Sequence, residues 1–237
     1  MTMSLKKAMI FAAGRGERMR PLTDTCPKPL LEVGGKPLIV WQIERLARAG
    51  FQTIVINHAW LGERIEAALG DGSRWNVELR YSAEHEALET AGGIVQALPL
   101  LEDAGNSEVF VAVSGDVYAD FDYATLNTRA EALKALPEPG MHLVMVPNPA
   151  FHPGGDFGLI DGVLSLDAQP RFTFGNIGLY DTRMVRGLPR GTRRALSPYY
   201  RETIARGLAS GELYEGLWEN VGTPAQLHAL DQRLSAR

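Results

Sequence analysis

Residues 12–31 of the chain read AAGRGERMRPLTDTCPKPLL and follow a hydrophobic run, 8–12, that is typical of a buried strand. Gly14 and Gly16 allow the backbone to turn tightly there and to bring N–H groups close to a ligand. Prolines further along the stretch forbid the long helix that often follows such a turn. They are Pro21, Pro27 and Pro29. The first strand therefore leads into an irregular, glycine-rich loop.

Two well-known phosphate-binding patterns do not fit this loop. A dinucleotide fingerprint needs G-x-G-x-x-G at the start of a helix, but its third glycine position is Met19. A P-loop needs G-x-x-x-x-G-K-[ST]. Lys36 follows a glycine, but Pro37 stands at the Ser/Thr position and Leu30 at the first glycine. The loop is therefore of neither type.

The loop is also basic. A flexible glycine backbone surrounded by positive charge suits a polyphosphate ligand, while a solvated basic turn is the alternative that these residues alone leave open. We interpret Arg20 as a surface charge. The basic side chains of the loop are Arg15, Arg18, Arg20 and Lys28.

Composition limits the possible classes of function. The chain has 237 residues and a formal net charge of −4, which argues against broad electrostatic binding to nucleic acid. A single cysteine, Cys26, excludes an internal disulfide and favours a reducing compartment. No apolar run is as long as a membrane span. We therefore expect a cytoplasmic monomer or weak oligomer that binds neither nucleic acid nor membrane.

The first half of the chain alternates between strand and helix patterns. This spacing indicates crossover connections and a mostly parallel sheet with helices on both faces. In such sheets, ligands bind at the carboxyl ends of the strands. Strands are predicted over 8–13, 53–57, 77–81, 109–113 and 142–146, and helices over 37–49, 61–69, 91–98 and 122–136, with Pro99 stopping the third helix.

The second half of the chain has a different residue pattern. Beyond residue 147 come several prolines and glycines and then short strand patterns, with Asp161-Gly162 as a hairpin signal. We expect antiparallel additions to the same sheet, and hence one domain over 1–237. Strands are predicted over 157–160, 163–166 and 171–180, and helices over 198–208 and 224–234.

Asp116 is the acidic residue with the most informative position. It lies in SGDVYAD (114–120), just after the strand predicted over 109–113, so it shares a sheet edge with the glycine-rich loop. A carboxylate there is either a turn former or a metal ligand. Because Mg²⁺ uses one or two carboxylates together with substrate phosphates and water, the basic loop favours the metal. Asp122 is expected to cap the next helix.

Further motifs follow the opening loop in a fixed order. AAGRGERMRPLT is followed by PKPLLEVGGKPLI, LETAGGI (88–94), SGDV (114–117), DFGLI (156–160), FGNIGLY (174–180) and WENVGT (218–223). Together they resemble the signature of the sugar-phosphate nucleotidyltransferases over nearly the whole chain. AGRGERMRPLTD, INHAWLG, LGDGSRW and LETAGGI most resemble the short bacterial uridylyltransferases of peptidoglycan recycling.

The resemblance implies a fold and a reaction. The fold is α/β, a Rossmann-like three-layer sandwich of the nucleotide-diphospho-sugar transferase type with a mixed, mostly parallel central sheet. Residues 1–147 would mainly bind nucleotide and 148–237 mainly sugar. The reaction is attack of a sugar 1-phosphate on the α-phosphorus of a nucleoside triphosphate, for which the protein supplies positioning and charge neutralisation.

Several substrates agree with this resemblance. The most specific expectation is uridylyl transfer from UTP to N-acetylmuramic acid α-1-phosphate. Guanylyl transfer to mannose 1-phosphate and uridylyl transfer to glucose 1-phosphate are alternatives. A catalytically weak regulatory protein that binds a nucleotide sugar is an alternative of another class.

The resemblance also assigns roles at the nucleotide end of the site. Arg18 would stabilise the departing pyrophosphate, Lys28 would contact phosphate, and Asp116 would hold Mg²⁺. Apart from the resemblance, Glu84 and Glu86 are further candidates for reading a base N–H. Backbone contacts to the nucleotide are expected at Ala13, Gly14, Gly16, Glu17, Gly92 and Gly93.

The sugar end departs from the family pattern at two positions. Asp156 and Asn176 match residues that bind sugar hydroxyls in relatives. Asn220 stands where relatives have an aspartate as second metal ligand; its neutral amide oxygen would bind a hard cation less tightly. A Glu-Lys-Pro run is replaced by LDAQPRFTF (166–174), in which Arg171 is the candidate for contacting the sugar phosphate.

Overall fold

The computed structural model describes residues 5–103 and 108–236. Its strands form one nine-stranded sheet and two small two-stranded sheets. In chain order the strands are β1 (Lys7–Phe11), β2 (Glu32–Val33), β3 (Lys36–Pro37), β4 (Thr53–His58), β5 (Glu78–Ala83), β6 (Val109–Ser114), β7 (Val117–Ala119), β8 (Met141–Val146), β9 (Phe157–Ile160), β10 (Val163–Ser165), β11 (Arg171–Asp181), β12 (Ala209–Leu213) and β13 (Trp218–Asn220).

The large sheet is mixed, as expected, and has the order β5-β4-β1-β6-β11-β8-β12-β10-β9. Its first four strands are parallel neighbours, and β8 and β12 form another parallel pair. β11 runs antiparallel to both β6 and β8, and β10 runs antiparallel to both of its neighbours. Chain segments from both halves therefore build one sheet, with the parallel block in the first half.

Helices connect the parallel strands, as the alternating pattern predicts. The first of these connections passes through α2 between β1 and β4. Short 3-10 turns occupy Glu17–Met19 and Lys28–Leu30 in the glycine-rich stretch. The helices are α1 (Leu22–Thr25), α2 (Leu38–Arg48), α3 (Gly62–Leu69), α4 (Glu89–Leu101), α5 (Leu126–Lys134), α6 (Ser197–Ala205) and α7 (Pro224–Ser235).

Apolar side chains cover both faces of the sheet because successive residues of a strand point to opposite sides. In β1, Ile10 joins a cluster with residues of α2, α3 and α5, whereas Met9 joins a second cluster with residues of α4 and α6. Ile56 and Val55 of β4 divide between the clusters in the same way. The parallel strands are therefore buried on both sides, which explains their continuous hydrophobic runs.

Several elements differ from the expectation, including the short strands β2, β3, β7 and β13, which were not predicted. α4 continues through Pro99 to Leu101, because Pro99 falls in its last turn and Leu101 is fully buried. The helix expected over 122–136 is divided into a 3-10 turn, which Asp122 caps through the N–H of Ala124, and α5. β12 was not predicted, because its sequence ASGEL lacks a strand pattern; its pairing with β8 supplies the order.

The carboxyl ends of β1 and β6 bring the two key motifs together. The loop that begins at Ala12 follows β1, and Asp116 follows β6, which pairs with β1 in parallel. The N–H of Gly115 donates to the carbonyl of Phe11 at 2.9 Å. A Cβ at Gly115 would lie 3.1 Å from that same oxygen, so the glycine permits the close approach. The predicted shared sheet edge is therefore present.

Candidate active site

The start of the glycine-rich loop offers unused hydrogen-bond donors. The N–H of Ala12 donates to Oδ1 of Asn57, but those of residues 13–16 make no hydrogen bond to any residue that the structure describes. Gly16 has φ +68°, and a Cβ there would lie 3.0 Å from the Thr23 side chain and 3.1 Å from Lys28. Only glycine fits this turn without strain, and the turn leaves a row of N–H groups suited to an anion.

Arg15 stabilises the loop rather than standing free. Its guanidinium donates to the carbonyl of Thr23 and to Asp24, and it stacks over Trp60 at 3.9 Å from the ring centre. Trp60 Nε1 donates to the same Thr23 carbonyl. Arg20 pairs with Asp24 at the surface, as expected for a surface charge. The segment around Trp60, which follows β4, therefore holds the loop in place.

Lys28 and Asp116 form an ion pair at the mouth of the loop. Lys28 Nζ lies 2.5 Å from Asp116 Oδ2, and Lys28 is only 8% exposed. The 3-10 turn at Lys28–Leu30 places the lysine, and the end of β6 places the aspartate. Because a nearly buried ammonium needs a counter-charge, Asp116 also stabilises the conformation of Lys28. Two of the three expected catalytic residues are therefore in direct contact.

Arg18 lies beside the segment that follows β13. A Cβ at Gly222 would lie 3.3 Å from Nη2 of Arg18, so the glycine makes room for the guanidinium. The neighbouring Met19 is fully buried in a small cluster with Tyr118 and Val221, which ties the loop to the β7–β13 ribbon. Arg18 itself is exposed and makes no ion pair with the described residues. It is positioned by backbone and free to bind a ligand.

The glycine-rich loop and the Lys28–Asp116 pair surround a first cavity of about 470 Å³. The loop supplies one wall, and the ends of β4 and β6 and the start of α4 supply the others. Ala13, Gly14, Gly16, Glu17, Lys28 and Asp116 all line it, together with Arg15, Asn57, Ser114, Thr90 and Arg193. The expected backbone contacts of the opening motif are thus brought together around one space with Lys28 and Asp116, whereas Arg18 lines neither this cavity nor the second one described below.

A buried polar network links the floor of this cavity to α4. Asn57 accepts from the N–H of Ala12 and donates to Glu84 Oε1 at 2.7 Å, while Glu84 Oε2 accepts from the N–H of Leu88 at 2.8 Å. Burial raises the pKa of Glu84, although these hydrogen bonds oppose the shift. Both carboxylate oxygens of Glu84 therefore have partners within the protein.

Gly92 and Gly93 do not line the first cavity; both are buried against protein. The N–H of Gly92 donates to the carbonyl of Arg194 at 3.0 Å, and a Cβ at Gly92 would lie 2.3 Å from the carbonyl of Thr192. A Cβ at Gly93 would meet Asn57 and Glu84 at 2.7 and 2.9 Å. In this structure the two glycines give room to protein atoms, and their contact with a nucleotide stays a prediction.

The substitution Gly92→Ala tests this close approach. Alanine normally favours a helix by up to about 1 kcal/mol over glycine. Here the added methyl would overlap the Thr192 carbonyl, and we expect a net loss of about 1–3 kcal/mol of unfolding free energy in urea denaturation. Gln96→Ala, on the same helix, is the control and should be neutral. If the unfolding free energy of Gly92→Ala is unchanged, the segment over 192–196 can move away from the added methyl group without loss of stability.

A second cavity of about 440 Å³ lies against β11, β13 and α6. Asp156 lines it, with Oδ2 accepting from the N–H of Phe174 and Oδ1 lying 3.2 Å from Nε2 of His152. Asn176 lines it from a bulge in β11 and has φ +55°, a conformation that asparagine tolerates. The two expected sugar-binding residues therefore share one cavity.

Asn220 belongs to the second cavity and lies next to Asp116 in the fold. It lines the second cavity and pairs with Val117, the residue after Asp116, in the β7–β13 ribbon. The N–H of the next residue, Val221, donates to the carbonyl of Asp116 at 3.0 Å. Glu219 points elsewhere, to an ion pair with Arg233. Asn220 is thus adjacent to Asp116 through the backbone, and that the two side chains hold one metal stays a prediction.

Arg171 does not line the second cavity. Its guanidinium donates to the carbonyls of Leu166 and Asp156, which holds the start of β11 to the residues flanking the β9–β10 hairpin. Two arginines outside the predicted set do line the cavities, Arg193 the first and Arg201 the second. Sequence reasoning missed both, because residues 186–206 show basic side chains without a motif; only the fold reveals which of them face a cavity.

Within residues 5–103 and 108–236, no group of three or more His, Cys, Asp or Glu side chains could hold a metal ion. A metal at Asp116 would therefore depend on ligands from the substrate. In the same ranges, no helix is both long and apolar enough to cross a membrane.

The geometry defines an α/β enzyme of the kind that binds a phosphorylated ligand at the carboxyl ends of parallel strands. The nucleotidyl transferase family model matches residues 7–161, and the chain belongs to this family. The expected identification as a sugar-phosphate nucleotidyltransferase is thereby confirmed.

Two similar proteins extend over the whole chain. An N-acetylmuramate alpha-1-phosphate uridylyltransferase of Neisseria meningitidis is 49% identical over 93% of this chain and 95% of its own length. A protein of the same name from Caulobacter vibrioides is 34% identical over 99% of both chains. The crystal structure of a putative glucose-1-phosphate thymidylyltransferase from Bacillus anthracis has a TM-score of 0.82 at 20% identity, covering 98% of this chain and 96% of that one.

Proposed function

We propose that the chain transfers the uridylyl group of UTP to N-acetylmuramate α-1-phosphate and releases pyrophosphate. Both full-length relatives carry that activity in their names. The structural observation that supports it best is the Lys28–Asp116 pair beside the free N–H groups of residues 13–16, all lining the first cavity. One cavity can take a nucleoside triphosphate while the other takes a sugar phosphate.

The reaction is one displacement at phosphorus. An oxygen of the sugar 1-phosphate bonds to the α-phosphorus, and the bond from that phosphorus to the bridging oxygen of the β-phosphate breaks. The electron pair leaves with pyrophosphate, so no proton transfer is required. The negatively charged sugar phosphate must approach the negatively charged triphosphate, and negative charge then builds up on pyrophosphate. The protein therefore has to position the two substrates and neutralise their charge.

We assign the nucleotide end of this reaction to the opening loop. The free N–H groups around Gly14 and Gly16 would hold triphosphate oxygens, and Lys28 would bind phosphate as a point charge. Arg18, held beside Gly222, would bind the β- and γ-phosphates with its guanidinium fork. Arg193 lines the same cavity and can add positive charge.

We assign the sugar end to the second cavity. The Asp156 carboxylate is oriented by the N–H of Phe174, and Asn176 is fixed by the β11 bulge, so both can hold sugar hydroxyls in defined directions. Trp218 lines the same space, with its indole N–H donating to the carbonyl of Gly175. Asn220 stands where this cavity approaches Asp116.

We propose Mg²⁺ as the metal, with Asp116 and Asn220 as its protein ligands. Their chemistry fits, since hard cations take carboxylate and amide oxygens, and a site with one carboxylate suits a metal that also binds phosphates and water. When bound, the ion would neutralise charge on the α-phosphate and the attacking oxygen. Lys28 already pairs with the carboxylate of Asp116, so a bound cation would share that carboxylate with the lysine.

Asn220→Asp tests the second ligand. Adding a carboxylate beside Asp116 raises the ligand charge, which is a main control of affinity for hard cations. We expect the Mg²⁺ concentration at half-maximal rate to fall by roughly 3- to 10-fold. Glu219→Gln, on the same strand but paired with Arg233, is the control. An unchanged or higher Mg²⁺ requirement in Asn220→Asp would show that the side chain at 220 is not a ligand.

A substrate matrix tests the function itself. Purified protein is incubated with Mg²⁺, each of four nucleoside triphosphates and a panel of sugar 1-phosphates, with pyrophosphate release as the readout. The panel includes N-acetylmuramate, mannose and glucose 1-phosphates. Highest kcat/KM for UTP with the muramyl sugar supports the proposal. A preference for GTP with mannose 1-phosphate or for UTP with glucose 1-phosphate, or binding without turnover, would select the other assignments.

The remaining proposals concern the domain architecture, the cellular location and the oligomeric state of the protein. The helices on both faces of a continuous sheet support a Rossmann-like three-layer sandwich forming a single domain, with residues 1–147 mainly binding nucleotide and 148–237 mainly sugar. The single free Cys26 and the nucleotide substrate support a cytoplasmic location. We further propose a monomer or weak oligomer acting on small molecules alone.

A further inference from the structure

The second cavity contains a cation that the sugar hydroxyls do not explain. Arg201 lines it from α6, opposite to the neutral and acidic side chains of the sugar site. Asp156 is engaged by His152 and the N–H of Phe174. Arg201 itself makes no hydrogen bond or ion pair with the residues that the structure describes. Its positive charge is therefore available to a ligand.

Other basic residues near Arg201 are already paired. Arg206 on the end of the same helix binds Glu138 and Glu202, and Arg193 in the first cavity binds Glu89. Glu202, which follows Arg201 in the chain, is thus oriented toward Arg206. Among the basic side chains lining the second cavity in the described chain, Arg201 is the one arginine, and His152 faces Asp156.

The start of α6 adds to the positive potential. Ser197, the first residue of this nine-residue helix, lines the same cavity, and Arg201 lies one turn further along the same face. The N-terminal turn of a helix carries unpaired N–H groups and a partial positive charge. In α6 the unpaired donors within the described chain are the N–H groups of Ser197 and Tyr199, because Pro198 has none. The guanidinium and the helix start therefore face the cavity together, as an anion-binding pair.

We propose that Arg201, with the first turn of α6, binds the carboxylate of the 3-O-lactyl group and so selects a muramyl sugar 1-phosphate over N-acetylglucosamine 1-phosphate. The inference rests on the proposed function. The two sugars differ only in the lactyl ether, which carries one negative charge. The phosphate of either sugar has Lys28 beside Asp116 as its cation. Arg201 is therefore a specificity-determining residue.

The test compares kcat/KM for the two sugar phosphates with UTP in wild type, Arg201→Ala and Arg201→Gln. We expect kcat/KM for the muramyl sugar to fall by about 30-fold or more in both variants, mostly through KM, because a charge-assisted hydrogen bond is lost. The value for the glucosaminyl sugar should change by less than about threefold. Arg201→Lys should recover part of the preference. Arg206→Ala is the matched control and should keep the wild-type preference for the muramyl sugar.

Other outcomes separate the two proposals. If wild type turns over N-acetylmuramate α-1-phosphate but the Arg201 variants lose both sugars equally, or lose neither, the role of Arg201 is wrong and the proposed function stands. If wild type prefers another sugar phosphate altogether, the proposed function fails first and this inference with it. Thermal unfolding of each variant shows whether a loss comes from misfolding; calorimetric binding of the UDP-sugars then replaces turnover as the readout.

Discussion

Asp116→Asn will lower kcat by about 10²- to 10³-fold and raise the Mg²⁺ concentration needed for activity. Asp116 is the only carboxylate near the Lys28 ammonium that the described residues show, at 2.5 Å. An amide at this position loses the charge that holds both the cation and the lysine. Steady-state rates against Mg²⁺ for wild type and variant measure the effect, and excess chelator should abolish wild-type activity.

The same substitution should lower stability, because Lys28 is nearly buried and would lose its counter-charge. Asp120→Asn is the matched control: Asp120 belongs to the same stretch but pairs with Arg45 outside both cavities. We expect this control to keep its Mg²⁺ response. Full activity of Asp116→Asn, or of wild type in excess chelator, would contradict the proposed metal.

Much of the first half of the fold could be predicted from the sequence, because its strands are buried on both faces. The runs leading into Gly14 and over 53–57 and 109–113 contain few polar residues, which is typical of parallel strands between helices. Their order then brings the loop and Asp116 to one edge. The position of the site thus followed from local patterns and one topological rule.

The second cavity was harder to predict, because its parts come together through long-range pairing. β12 has no strand pattern of its own and is ordered by β8, and α6 is recognisable as a helix without showing which side chains meet a cavity. Arg171 has the charge expected of a phosphate ligand, yet it binds two backbone carbonyls. Arg201 performs no structural pairing in the described chain and faces the space instead.

The glycines of LETAGGI show a related limit. A sequence can indicate that a glycine is needed for close approach, but not which atoms approach. At Gly92 the approaching atom is the Thr192 carbonyl, and at Gly93 it belongs to the Asn57–Glu84 network. Asn57 was not singled out either, since an asparagine at the end of a strand gives no signal of the three chain segments that it joins.

Arg18→Ala will lower kcat by about 10²-fold or more while leaving the unfolding temperature of the protein nearly unchanged. Arg18 is exposed and makes no ion pair with the described residues, so its removal costs little packing. Its place beside Gly222, between the opening loop and the end of β13, suits a guanidinium that meets charge leaving the first cavity. In the proposed reaction that charge lies on the departing pyrophosphate, and it grows as the bond to the α-phosphorus breaks.

The reverse reaction makes this test specific. If Arg18 binds pyrophosphate, Arg18→Ala should raise the KM for pyrophosphate in the synthesis of UTP from the UDP-sugar, and the KM for the UDP-sugar should change little. Arg20→Ala is the control, because Arg20 lies two residues away and pairs with Asp24 at the surface. Turnover within about twofold of wild type in both directions would exclude Arg18 from the transition state, and the loop N–H groups with Lys28 would then have to stabilise the leaving group alone.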